Sequence, residues 1–82
     1  MPKCDELLRR ARANPAGLRF AQLCQLAECH GFQFARQRGS HRVYRHATAR
    51  TIMTFQEVNG MAKPYQVRQL LDVIDDLTDQ GE

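Results

Sequence analysis

His41 stands in the run Arg38-Gly39-Ser40-His41-Arg42, with Arg36 and Arg45 close on either side. An imidazole has a reference pKa near neutrality and can take or give a proton. Guanidinium groups can hold a phosphate through paired N–H donors. Gly39 lets backbone approach a ligand closely. These residue types suit cleavage of RNA, because the ribose 2′-OH is already a nucleophile and the protein need add only a base and stabilisation of the developing phosphorane charge. They equally suit RNA binding without cleavage, since a lone surface histidine flanked by arginines is most often inert.

The other polar candidates are weaker. His46 lies five residues beyond His41, and an odd spacing on a regular strand puts the two on opposite faces unless a bulge or the strand end intervenes. It reads as a surface residue. His30, at a helix end, reads as a cap on free carbonyls. Tyr44 and Tyr65 could stack on unpaired bases, but partial burial with the hydroxyl at the rim is the reading favoured for Tyr44. Lys63 precedes the last helix, where side-chain charge and free N–H groups can together meet a phosphate, or it is an idle exposed lysine.

Charge is segregated along the 82 residues. Between His30 and Arg68 lie Arg36, Arg38, Arg42, Arg45, Arg50, Lys63 and Arg68 against Glu57 alone, whereas Asp72, Asp75, Asp76, Asp79 and Glu82 follow with no Lys or Arg. A basic centre of this kind is the footprint of a nucleic-acid binder. The acidic end is either a solvated face or an interaction surface. No phosphate-binding glycine loop is present, and the basic centre lacks the clustered carboxylates of two-metal nucleases.

Cys4, Cys24 and Cys29 form an odd set with no apolar run of signal-peptide length, so reduced thiols and a cytoplasmic location are expected. Cys24, Cys29 and His30 fit no common zinc spacing. Neither a metal nor a cofactor is expected, Cys24 reads as core, and no stretch approaches a membrane span.

The elements that would position His41 can be read from the spacing. Asp5 can cap a short helix carrying Leu7, Leu8 and Ala11 that ends at Asn14-Pro15. Ala16-Gly17 breaks the chain, and Phe20, Leu23, Cys24 and Ala27 mark a second helix stopping near His30 before Gly31. Phe32 to Ala35 reads as a strand running into the tight connection Arg36 to Ser40, followed by strands at His41 to His46 and Thr51 to Gln56. Asn59-Gly60 closes this three-stranded antiparallel meander. Pro64 opens a last helix whose Val67, Leu70, Leu71, Ile74 and Leu77 form an apolar stripe. The expected fold class is therefore α+β, a three-stranded antiparallel sheet with helices packed on one face in the order α-α-β-β-β-α. Such a sheet leaves its other face open for a partner. Residues 1–17 read as an N-terminal helical extension and 18–82 as the main domain. So short a chain buries only about 60% of its unfolded surface and has little stability to spare.

The segment from Gly31 to His46 resembles HicA-family toxins. Gly31-Phe32 opens a strand, Arg36-Gln37-Arg38-Gly39-Ser40-His41 forms the tight connection, and Tyr44 supplies an aromatic three residues after the histidine. The stretch Gly60 to Arg68 and the helix after it are similar to one branch of that family. The resemblance covers about residues 18–77. It implies a double-stranded-RNA-binding-domain-like fold, messenger-RNA cleavage without a metal, His41 as the catalytic residue and neutralisation by a HicB-type antitoxin. With the basic residues it makes Arg36, Arg38, Gly39, Ser40, Arg42, Arg45 and Lys63 the expected RNA contacts. The chain departs from the commonest pattern after the third strand, where Phe55-Gln56-Glu57-Val58-Asn59-Gly60 replaces a His-bearing segment. A non-catalytic RNA-binding module, or a protein-interaction domain using the open sheet and the acidic last helix, is the alternative.

Overall fold

A computed structural model describes residues 4–80. Helix α1 spans Cys4–Ala13 and a short 3-10 turn spans Pro15–Gly17. Asp5 lies inside the first turn of α1, where a carboxylate favours the helix dipole, and is not the cap expected of it. Helix α2 spans Phe20–Cys29. The Arg19 N–H donates to Gln22 Oε1 (3.0 Å), satisfying a backbone donor at its start. At its end Gly31 adopts φ +94°, and the His30 Nδ1–H donates to the Leu26 carbonyl (3.0 Å), the carbonyl cap expected of His30. Helix α3 spans Pro64–Gln80 and buries Val67, Leu70, Leu71 and Ile74.

The sheet has four strands: β1 Phe32–Arg38, β2 His41–His46, β3 Ile52–Val58 and β4 Met61–Ala62, in the order β1-β2-β3-β4 and antiparallel throughout. The three-stranded reading is thus corrected. Asn59 and Gly60 both have positive φ, +53° and +79°, the requirement of a two-residue hairpin turn. They lead into β4 and do not close the sheet. Two residues show no alternation to detect, and β4 is held by distant backbone, with the Ala62 N–H donating to Leu18 O and the Phe20 N–H to Gly60 O, both at 3.0 Å. Strand β1 also continues to Arg38, leaving only Gly39 and Ser40 as the connection to β2.

One core joins all three helices to one face of the sheet. Leu18, Leu23, Leu26, Tyr44, Phe55, Val67 and Leu70 are its most buried large side chains. Tyr44 is 1% exposed, so it is core and not a rim residue; its hydroxyl donates to Glu28 Oε2 at 3.4 Å. Leu7 and Ala11 of α1 belong to the same cluster. Outside it, Arg12 of α1 meets Asp75 of α3 at 2.7 Å. That contact holds the Asp75 carboxyl below its ordinary range by hydrogen bonding, and gives one of the C-terminal acids a partner within the chain. No described helix is long and apolar enough to cross a membrane.

The expectation of three reduced thiols is also corrected. Cys4 and Cys29 form a disulfide with their Cα atoms 5.9 Å apart, within the range a bridge requires. The packing of α1 against α2 sets that proximity, which an odd cysteine count cannot reveal. Cys24 is free and buried, as expected.

Gly31 allows close packing as well as a turn, because a Cβ there would lie 2.7 Å from His46 Nε2. Gly39, at φ +55°, has nothing within 4 Å of such a Cβ. In chemical denaturation, Gly31→Ala is expected to cost about 1–3 kcal/mol, with the steric clash placing it toward the upper end. Gly39→Ala should cost about 1 kcal/mol, from backbone strain alone. A loss at Gly31 no larger than that at Gly39 would contradict the role of the His46 contact.

Candidate nucleic-acid interface

Strand β2 divides its side chains between two environments. Arg42, Tyr44 and His46 point to the helices, while His41, Val43 and Arg45 point to the open face. His41 and His46 therefore lie on opposite faces, as their spacing predicts. Cross-strand partners share a face, so the register assembles the open surface in rows: Arg38, His41 and Gln56; Arg36, Val43 and Thr54; Gln33, Arg45 and Ile52. None of these positions is Asp or Glu. Arg36, Arg38, Gly39, Ser40, His41 and Arg45 are all exposed.

A β-bulge creates this arrangement. Phe34 pairs with Tyr44, but Arg36 pairs with Val43, leaving Ala35 as the extra residue. In a regular strand Phe32, Phe34, Arg36 and Arg38 would share one face. The bulge keeps the two aromatics on the helix side and turns both arginines to the side of His41. The hairpin is then closed by Gly39 and Ser40, with Gln37 Nε2–H donating to Gly39 O (3.0 Å) and the Glu57 N–H to Ser40 O (3.1 Å).

Arg42 is not brought to this surface. Its guanidinium lies 5.3 Å from the centroid of the Phe20 ring and 5.6 Å from that of Phe34, and Nη1 reaches Cys24 Sγ at 3.9 Å. Its Nε is buried without a hydrogen-bond partner. The same pocket pushes the Tyr44 hydroxyl up to about 12, chiefly by burial, and raises the Cys24 thiol for the same reason. A thiol raised by burial stays protonated and unreactive at neutral pH.

His46 is a structural clamp and not the surface residue expected. Its Nε2–H donates to the His30 carbonyl at 2.9 Å, and Nδ1 accepts the N–H groups of Thr48 (3.2 Å) and Ala49 (2.9 Å). Those three bonds select the neutral Nε2–H tautomer and pin the β2–β3 connection to the end of α2. The ring also packs edge-on to Phe32, with centroids 5.0 Å apart.

A residue that sequence reasoning missed joins α3 to this sheet. Gln66 is 6% exposed, and its Oε1 accepts the Gln56 N–H at 2.8 Å. Gln56 pairs with His41 across the sheet, so this bond secures the row that carries the histidine. Because β4 stops at Ala62, Gln66 supplies the acceptor that a longer neighbouring strand would have offered. Its Nε2–H donates to the Tyr65 hydroxyl at 3.5 Å, and Lys63 Nζ lies 5.8 Å from the Tyr65 ring centroid. The sequence signal was slight: Gln66 stands four residues before Leu70, on the border of the apolar stripe. Among the described residues no group of three or more His, Cys, Asp or Glu could hold a metal ion.

The geometry defines a small α+β domain with helices on one sheet face and an arginine-rich, histidine-bearing surface on the other, consistent with a double-stranded-RNA-binding-domain-like fold. A family model for the HicA toxin of bacterial toxin–antitoxin systems matches residues 20–75, and the chain belongs to that family. No curated protein and no solved structure matches the chain. Helix α1 lies outside the matched segment but contributes to the core.

Gln66→Leu should leave the Gln56 N–H without an acceptor and lower stability by about 1–3 kcal/mol, the cost of an unmade buried hydrogen bond. Gln66→Glu keeps an acceptor oxygen and should lose less at neutral pH. Denaturation of both variants checks the order, and equal losses would mean that packing, not the hydrogen bond, is what Gln66 contributes.

Proposed function

We propose that this protein is a metal-independent endoribonuclease toxin that binds and cleaves messenger RNA with His41, and that a HicB-type antitoxin protein neutralises it. The observation that carries this reading is the row Arg38, His41 and Gln56 at the hairpin end of the open face, in which Arg38 and His41 are exposed. His30 and His46 both spend ring nitrogens on backbone, whereas His41 faces solvent beside arginine.

In this reading neutral His41 takes the ribose 2′-OH proton, and the 2′ oxygen attacks the adjacent phosphorus. The bond from phosphorus to the 5′ oxygen breaks, leaving a 2′,3′-cyclic phosphate on one fragment. The 5′ oxygen of the other leaves as a hydroxyl, with the proton returned by the imidazolium. Arg38 and Arg36 stabilise the charge that develops on the phosphorane, where donors fixed in advance are most effective. Gly39 and Ser40 give the phosphate close access to backbone, Arg45 extends the basic surface along β2, and Lys63 adds charge at the start of α3. Arg42, stacked between Phe20 and Phe34, supports this surface by packing and is left out of the RNA contacts.

His41→Ala should reduce cleavage of a long RNA at least about 100-fold while RNA affinity and melting temperature stay close to wild type, because the side chain is exposed. Growth inhibition on expression should be lost in parallel. Equal cleavage by both proteins would overturn His41 as the catalytic residue, and binding without cleavage by the wild type would leave the binding-module alternative in place of the nuclease. The activity should also persist in EDTA, since the roles of base and charge stabiliser fall to His41 and the arginines. Loss of cleavage in EDTA, restored by Mg²⁺ or Mn²⁺, would overturn the metal-independent assignment.

A further inference from the structure

At the end of the open face away from the Gly39-Ser40 hairpin, a groove of about 410 Å³ lies between β2, the 47–51 connection and the start of β3. Arg45 and Arg50 stand on it, both exposed, together with Ile52, which is 60% exposed and among the most exposed large apolar side chains described. The 47–51 connection that lines it is preformed. His46 lines it and holds the connection through the two N–H groups of Thr48 and Ala49, while its other nitrogen is anchored on His30 O. The His46 N–H to Thr51 O bond (3.0 Å) closes the same connection. The loop therefore presents Arg50 and Ile52 without needing to be ordered by a ligand.

We propose that this groove is a second binding subsite for single-stranded RNA, taking a phosphate between Arg45 and Arg50 and an unpaired base against Ile52. The proposal rests on the RNA-cleaving reading of the same sheet face. Charge complementarity selects the occupant, because the rows from Arg38 to Arg45 contain cations and neutral residues with no carboxylate. An exposed aliphatic residue beside two arginines fits a strand that offers a base face and a phosphate together, and a duplex hides its base faces in the stack.

The groove lies on the same strand as His41. Arg45 lies four steps along the strand from His41, about 13 Å at 3.3 Å per residue. A stacked strand rises about 3.4 Å per phosphate and an unstacked one more, so this distance spans at most about four nucleotides. RNA lying along β2 would thus place one phosphate at Arg38 and His41 while a nucleotide a few positions away occupies the groove. Binding energy from that remote nucleotide would position the scissile phosphate, and substrates too short to reach it would be held less well.

The test uses 2′-O-methyl oligoribonucleotides of three and ten nucleotides, which lack the nucleophilic hydroxyl and cannot be cut by this chemistry. Their affinities are measured by fluorescence anisotropy at several salt concentrations for the full chain and for Arg50→Ala/Ile52→Ser, with melting temperatures recorded. For the wild type, affinity should rise steeply from the trimer to the decamer. In the double variant that gain should shrink about 10-fold, and the decamer's slope of log affinity against log salt should fall by about 0.7, one phosphate contact. A length gain identical in both proteins, with RNA still bound and cut by the wild type, overturns the subsite and leaves the nuclease reading standing. An equal loss for trimer and decamer overturns it also, because the effect would then not come from a remote nucleotide. If the wild type binds neither oligonucleotide and cuts no RNA, the nuclease reading fails and takes the subsite with it.

Discussion

Tyr44 is buried in the middle of the central strand β2, between Phe34 and Phe55 and with its hydroxyl on Glu28. Because strand side chains alternate, burial of this one ring decides the direction of every other residue in β2. Arg42 and His46 follow it toward the helices, and His41, Val43 and Arg45 are committed to the open face. A slip of one residue would bury His41 and expose the ring, forfeiting roughly the 1.5–3 kcal/mol expected for a large buried side chain. The exposure of the histidine is thus a consequence of core packing three residues away along the strand.

The basic character of the open face depends on two further local features. The bulge at Ala35 changes the face of Arg36 and Arg38 within a strand whose first half is committed to the core by Phe32. Gln66 meets β3 where β4 has run out, so Gln56, the neighbour of His41 in its row, has partners on both sides. Both are polar or steric solutions imposed by the backbone's need for partners, and both lie on elements that also build the core. The surface is consequently carried by rigid strands and not by mobile loops, which favours preorganised charge.

The histidines illustrate how one residue type takes three roles by environment. His30 completes the end of α2, and His46 replaces absent backbone partners at the 47–51 connection. Only His41 is exposed. Arginine divides similarly: Arg12 pairs with Asp75, Arg42 packs between aromatic rings, and Arg36, Arg38 and Arg45 remain directed at solvent on the sheet. The acidic end of α3 is partly engaged by this chain itself, through the contact with Arg12.

Much of this was legible in the residues alone, because it depends on periodicity and local chemistry. The α3 stripe, the end of α2 at Gly31, the limits of β2 and the opposite placement of His41 and His46 follow from spacing that is independent of any distant contact. The Gly39-Ser40-His41 segment, with its flanking arginines, carried the family resemblance for the same reason. Other features needed the folded chain. A bulge at Ala35 has no local signature, yet it reverses the face of two arginines. Arg42 is as cationic as its neighbours until Phe20 and Phe34 close around it. His46 looks free until the end of α2 brings the His30 carbonyl to its ring, and Cys4 meets Cys29 only once α1 is laid against α2. Residue type and period determine which groups are available, but partners far apart in the chain decide which of those groups are already spent on holding the fold.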